Sequence, residues 1–105
     1  GELARFGLPV HVSELDCSLG RKPLDMRSRP ERLAIQARLA GETAEAFMAL
    51  PERQRFAFTV WGVRDRDSWM RVPPNAGDGT DAPLLFDDLG RPKPMFDAVA
   101  RAFAR

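Results

Sequence analysis

Apolar residues in this chain recur with two different periods. At residues 8–15 and 56–63 they alternate, as in a half-buried strand; at residues 28–50 and 94–103 they recur every three or four positions, as on one face of a helix. In the first alternating run Val10, Val12 and Glu14 share one face, and His11, Ser13 and Leu15 share the other. In the second run Phe56, Phe58 and Val60 oppose Ala57, Thr59 and Trp61. The longer helical stretch opens with Ser28-Arg29-Pro30-Glu31, a capping-box order with proline tolerated in the first turn. Leu33, Ala37, Ala40, Ala44, Phe47 and Met48 then form a stripe suited to packing on a sheet, until Pro51 ends the helix. Pro94 opens the last helix, with Phe96, Val99, Ala100 and Phe103 as its expected buried face.

Between these elements, residues 2–6 read as the end of a helix closed by Gly7 in the left-handed conformation. Residues 17–27 are polar and irregular, and residues 64–83 form a long loop rich in Gly, Pro and Asp. Leu84-Leu85-Phe86 is a short apolar patch before a turn at residues 87–90. Strands alternating with helices imply right-handed crossovers and a parallel sheet. Two parallel strands leave both edges unpaired and neither face fully covered, so the pattern reads as part of a larger fold.

Composition narrows the function classes. The 105 residues carry 44% apolar side chains and a net charge of +1, from 16 basic and 15 acidic residues with no long run of either sign. Clustering of the kind a nucleic-acid surface needs is absent. Arginine outnumbers lysine fourteen to two, which fits codon bias better than phosphate binding. Cys17 is the sole cysteine, so there is neither an internal disulfide nor a Cys/His zinc pattern. No apolar run approaches the roughly 20 residues of a membrane span, and no signal peptide opens the chain, which begins on Gly1 in mid-helix character.

The candidate chemistry lies at the carboxyl ends of the two strands. In a (β/α)8 barrel, inward residues fill the barrel and the last one opens into the active site. On that parity Val10, Val12, Ala57 and Thr59 fill the interior, while Glu14 and Trp61 reach its mouth. His11, on the opposite face, is expected to pack against helices. A carboxylate beside a flat indole suits a sugar, with the ring stacking on a pyranose face and the carboxylate meeting an oxocarbenium-like centre. Taken singly, Glu14 also serves as a solvated strand end, Trp61 as core and Asp16 as a turn residue.

Longer stretches carry a resemblance. "VHVSELD" resembles the strand-seven signature of glycoside hydrolase family 10, the retaining endo-1,4-β-xylanases, and "TVWGVRDRDSW" resembles that family's strand-eight signature. "PLLFDDLGRPKPMFDAVARA" is similar to its C-terminal tail, and "ERLAIQA" to its seventh helix. The match runs across residues 1–105 in the family's order. It implies a C-terminal fragment of a catalytic domain, about two βα units of an α/β (β/α)8 TIM barrel. It further implies that Glu14 is the nucleophile and that Asp16 orients a histidine which holds Glu14. Trp61 and Trp69 match the tryptophans that wall the sugar subsites, and Lys93 and Pro94 match structural residues of the tail.

Departures from the family bear on activity. Ser13 stands where threonine is usual, and residues 40–60 lack the cysteine pair many relatives carry. The family's acid/base is the Glu of an Asn-Glu pair on strand four; the chain has no such pair, and Asn75 is its only asparagine. Retention needs two carboxyl groups about 5–5.5 Å apart on opposite flanks of the bond. Glu14 and Asp16, about 6.6 Å apart along a strand, approach from the same side and are not that pair. The resemblance therefore implies xylan or a xylo-oligosaccharide as partner, with no cofactor, metal, nucleic acid or membrane. It implies an active site that requires the rest of the barrel, an inactive isolated chain, and a secreted or periplasmic full-length protein. The competing expectations are a non-catalytic carbohydrate-binding or inert fragment of the same barrel, and a small α/β interaction module.

Overall fold

The computed structural model describes residues 2–20 and 27–104. Strand β1 (Val10–Leu15) is followed by helix α1 (Arg29–Met48), strand β2 (Arg55–Val60) and helix α2 (Pro94–Phe103). Single 3-10 turns occupy Glu2–Phe6, Glu52–Gln54, Asp65–Asp67 and Trp69–Arg71. The opening segment is thus a 3-10 turn rather than an α-helix end; Gly7 closes it at φ 66°, its N–H donating to Ala4 O at 3.1 Å. Ser28 caps α1 as its sequence suggests: Oγ accepts from Glu31 N–H at 3.3 Å and donates to Glu31 Oε1 at 3.0 Å. Of the irregular stretch expected at 17–27, residues 21–26 lie outside the described residues.

β1 and β2 pair in parallel, as the alternation of strands and helices requires. Their register slips twice, between Val10 and His11 and between Val12 and Leu15, and the slips overturn the simple parity expected of both strands. Val10 and Val12 face α1, lining an apolar groove of about 580 Å³ with Leu39, Ala46, Phe47 and Leu50. Leu15 also packs toward the helices. The extra residue falls at Ser13 and Glu14, so Glu14 is exposed without sharing a face with Val10 and Val12. His11 does not pack against helices: it is exposed, its Nε2 lies 3.1 Å from Thr59 Oγ1, and its ring is 5.4 Å from that of Phe56. Phe56 leaves the face of Phe58 and is 71% exposed. A β-bulge shifts the alternation by one residue, and a residue-by-residue count cannot anticipate it.

The core lies between the sheet and the two helices. Ala40, Ala44, Met95, Val99 and Ala102 form its buried centre, with Leu15, Phe58 and Leu85 packed against it. Phe47, Phe58 and Phe103 complete an aromatic triangle with centroids 5.2–6.2 Å apart. α2 is rotated from its expected orientation: Met95, Val99 and Ala102 are buried, whereas Ala100 is exposed and Phe96 half-buried. Small residues let the helices approach closely, and a Cβ on Gly41 would stand 3.1 Å from Ala98 Cβ. The radius of gyration, 14.7 Å, exceeds the roughly 13 Å of a compact domain of this length. Both sheet edges are open among the described residues, the geometry of an incomplete barrel.

Candidate active site

Parallel strands bring their carboxyl ends to the same side, and the chain places its candidate residues there. Trp61 N–H donates to Leu15 O at 2.9 Å, which seats Trp61 beside the residue between Glu14 and Asp16. Glu14 is exposed and has no hydrogen-bond or ion-pair partner among the described residues. Asp16 is half-buried, and its Oδ2 accepts from Trp69 Nε1–H at 2.9 Å across 53 residues of sequence. Trp61 and Trp69 are 48% and 47% exposed, enough to offer a ring face to a ligand.

The loop carrying Trp69 is held from beneath. Asp65, 3% exposed, accepts from Leu84 N–H at 2.8 Å and from Lys93 Nζ at 3.1 Å. Lys93 also donates to Ala82 O at 2.6 Å and Leu84 O at 2.7 Å. Burial pushes the Asp65 carboxyl up and the Lys93 ammonium down, each against the pull of its partner. Arg71 pairs with Asp88 at 2.7 Å and donates to Asp81 O at 2.9 Å, and its hydrogen bond holds the Asp88 carboxyl below the ordinary range. On the strand side, Gln36 Nε2 donates to Cys17 O at 2.7 Å and to Ala82 O at 2.5 Å, tying α1 to both segments.

These clamps were the part the alternation hid. Arg32, Gln36, Ala40 and Ala44 follow at four-residue steps and all are buried, so the polar residues continue the apolar stripe. That spacing was the available signal; a polar residue on a buried helix row needs a partner. Cys17 is half-buried, and its thiol is pushed up by burial, with Asp16 and Asp81 adding to the effect, which works against the thiolate form. Among the described residues no three His, Cys, Asp or Glu side chains converge as a metal would require. None of the described helices is long and apolar enough to cross a membrane.

The sequence and the fold that carry this carboxylate and these two indoles have counterparts in known proteins. The sequence profile described as glycosyl hydrolase family 10 matches residues 1–102. The chain belongs to that family. It is 33% identical over 102 residues to an endo-1,4-beta-xylanase A of Caldicellulosiruptor saccharolyticus, covering 93% of this chain and 29% of the relative. It is 33% identical over 94 residues to an endo-1,4-beta-xylanase A of Cellvibrio japonicus, covering 90% of this chain and 14% of the relative. Its fold superposes on the xylanase A of P fluorescens subsp. cellulosa, solved in complex with xylopentaose, with a TM-score of 0.75 and 30% identity, covering 93% of this chain and 31% of that one. The chain thus spans less than a third of these family 10 hydrolases and corresponds to about two βα units, a C-terminal fragment, of their (β/α)8 barrel. Open sheet edges are what two neighbouring strands taken from a closed barrel leave unpaired.

Proposed function

We propose that the protein carrying this chain is a retaining endo-1,4-β-xylanase and that the chain supplies its nucleophile side. The observation that carries this is the joint placement of Glu14, the Asp16–Trp69 pair and Trp61 at one strand end in a family 10 chain. Glu14 attacks the anomeric carbon of a xylosyl unit as the glycosidic bond breaks, forming a covalent glycosyl-enzyme. A second carboxyl group protonates the departing oxygen and then activates the water that releases the sugar. That group comes from outside these residues, since no Asn-Glu pair is present. Asp16 supports Glu14 from two positions along the chain, and Trp61 and Trp69 stack on the sugars. The chemistry uses no cofactor or metal. Xylan is too large to enter a cell, so the full-length protein acts outside the cytoplasm, while the isolated 105 residues hydrolyse nothing.

The test is trapping with a 2-fluoro xylobioside that arrests the covalent intermediate, applied to the protein carrying this chain. The peptide bearing Glu14 gains the sugar mass, and Glu14→Gln abolishes both labelling and xylan hydrolysis. A label on another carboxylate refutes the assignment. Undiminished hydrolysis by Glu14→Gln refutes it too, and hydrolysis by the isolated chain overturns the need for a second carboxyl group. The half-exposed indoles favour one second reading, a fragment that binds xylan without cutting it. It holds if xylan affinity is lost with Trp61→Ala while no label is ever taken up.

A further inference from the structure

The aspartate that the family resemblance assigns to supporting Glu14 makes a direct contact with a sugar platform. We infer that Asp16 is the positioning residue of Trp69, fixing the indole in the attitude in which it meets the substrate. This rests on the reading of Trp69 as a sugar platform. The backbone around Asp16 is held on both sides: Trp61 N–H donates to Leu15 O at 2.9 Å, and Cys17 N–H donates to Pro83 O at 2.9 Å. Gln36 Nε2 donates to Cys17 O at 2.7 Å. The carboxylate therefore projects from a rigid support.

The backbone beneath Trp69 is equally fixed. Ser68, fully buried, caps the turn with Oγ accepting from Met70 N–H at 3.1 Å, and the Arg71–Asp88 pair anchors its other end. The indole itself stands half in solvent, and its Nε1–H···Oδ2 bond of 2.9 Å to Asp16 is its one directional contact among the described residues. A ring on a fixed backbone retains two side-chain torsions, and a charge-assisted hydrogen bond restrains both. Two consequences follow. The platform is tied to the strand that bears Glu14, so stacked sugar and nucleophile share one reference frame. The indole N–H is already used, so Trp69 offers its ring face rather than a donor to sugar hydroxyls.

The experiment uses the protein carrying this chain, labelled with indole-15N tryptophan, with the Trp69 signal assigned by Trp69→Phe. In Asp16→Ala the Trp69 indole proton moves upfield and exchanges with water at least about tenfold faster. In Asp16→Asn, whose amide oxygen still accepts, the signal stays close to wild type. Xylopentaose affinity falls about tenfold in Asp16→Ala, and Asp16→Asn restores it. KM follows the same order, whereas kcat falls in both variants if the charge also supports Glu14. Asp16→Ala added to Trp69→Phe costs no further affinity. An indole signal indifferent to Asp16→Ala overturns the contact, and additive losses overturn the positioning role. A wild-type protein with an intact indole shift but no affinity for xylopentaose leaves the hydrogen bond standing and overturns the sugar reading with the role that depends on it.

Discussion

Lys93→Met tests how the strand-end loop is held. Methionine reproduces most of the lysine stem, so packing around it survives and the loss is confined to the charge and its donors. Lys93 is 6% exposed and serves Asp65 Oδ1, Ala82 O and Leu84 O. Without it the Asp65 carboxylate stays buried with Leu84 N–H as its remaining donor, and two carbonyls lose a partner. Breaking a buried pair from one side costs about 3–5 kcal/mol, far more than the lost contacts of the stem. The cost depends on pH with a definite sign. Burial already holds the Asp65 pKa above its ordinary value, and losing the ammonium raises it further. A carboxyl whose folded pKa is raised contributes most to stability below the ordinary carboxylate range, and that contribution is lost as pH climbs through the raised value. The deficit of Lys93→Met is therefore larger at about pH 8 than at about pH 4. Urea unfolding of wild type and variant at the two pH values reads it directly. Lys93→Met/Asp65→Asn recovers part of the loss, because the amide oxygen still accepts from Leu84. A deficit under about 1 kcal/mol at pH 8, or one equal at both pH values, refutes the reasoning, since the pair would then not be desolvated.

Four further outcomes follow from close contacts and buried hydrogen bonds. Gly62 has φ +128° and a Cβ there would meet Leu84 Cδ1 at 2.9 Å, so Gly62→Ala loses about 1–3 kcal/mol in urea unfolding. Gly41→Ala sets about 1 kcal/mol of helix propensity against the 3.1 Å approach to Ala98 and comes out near neutral. Gly41→Leu pushes α2 off α1 and loses about 1–3 kcal/mol or more, which a thermal melt distinguishes. Gln36→Leu removes the side-chain donor of Cys17 O and leaves Ala82 O with Lys93 Nζ, and it costs about 1–3 kcal/mol. An unchanged urea midpoint would mean that water replaces the amide there.

What the sequence determined by itself was local and periodic. Four-residue recurrence, the Ser28 cap and the opening Pro94 located both helices, because a helix is written in contacts three and four residues apart. Alternation located both strands, and the order of elements required them to run parallel. The quoted motifs were enough to mark the chain as part of a family 10 hydrolase. The tertiary structure decided which way side chains face and what they touch. Val10 and Val12 line a groove with α1, His11 lies against Thr59, and the slip between Val12 and Leu15 puts Leu15 rather than Glu14 on their face. The Asp65–Lys93 pair and the Asp16–Trp69 bond join residues 28 and 53 positions apart. No local period encodes such partners; a buried charge or an indole N–H finds one only when the fold closes around it.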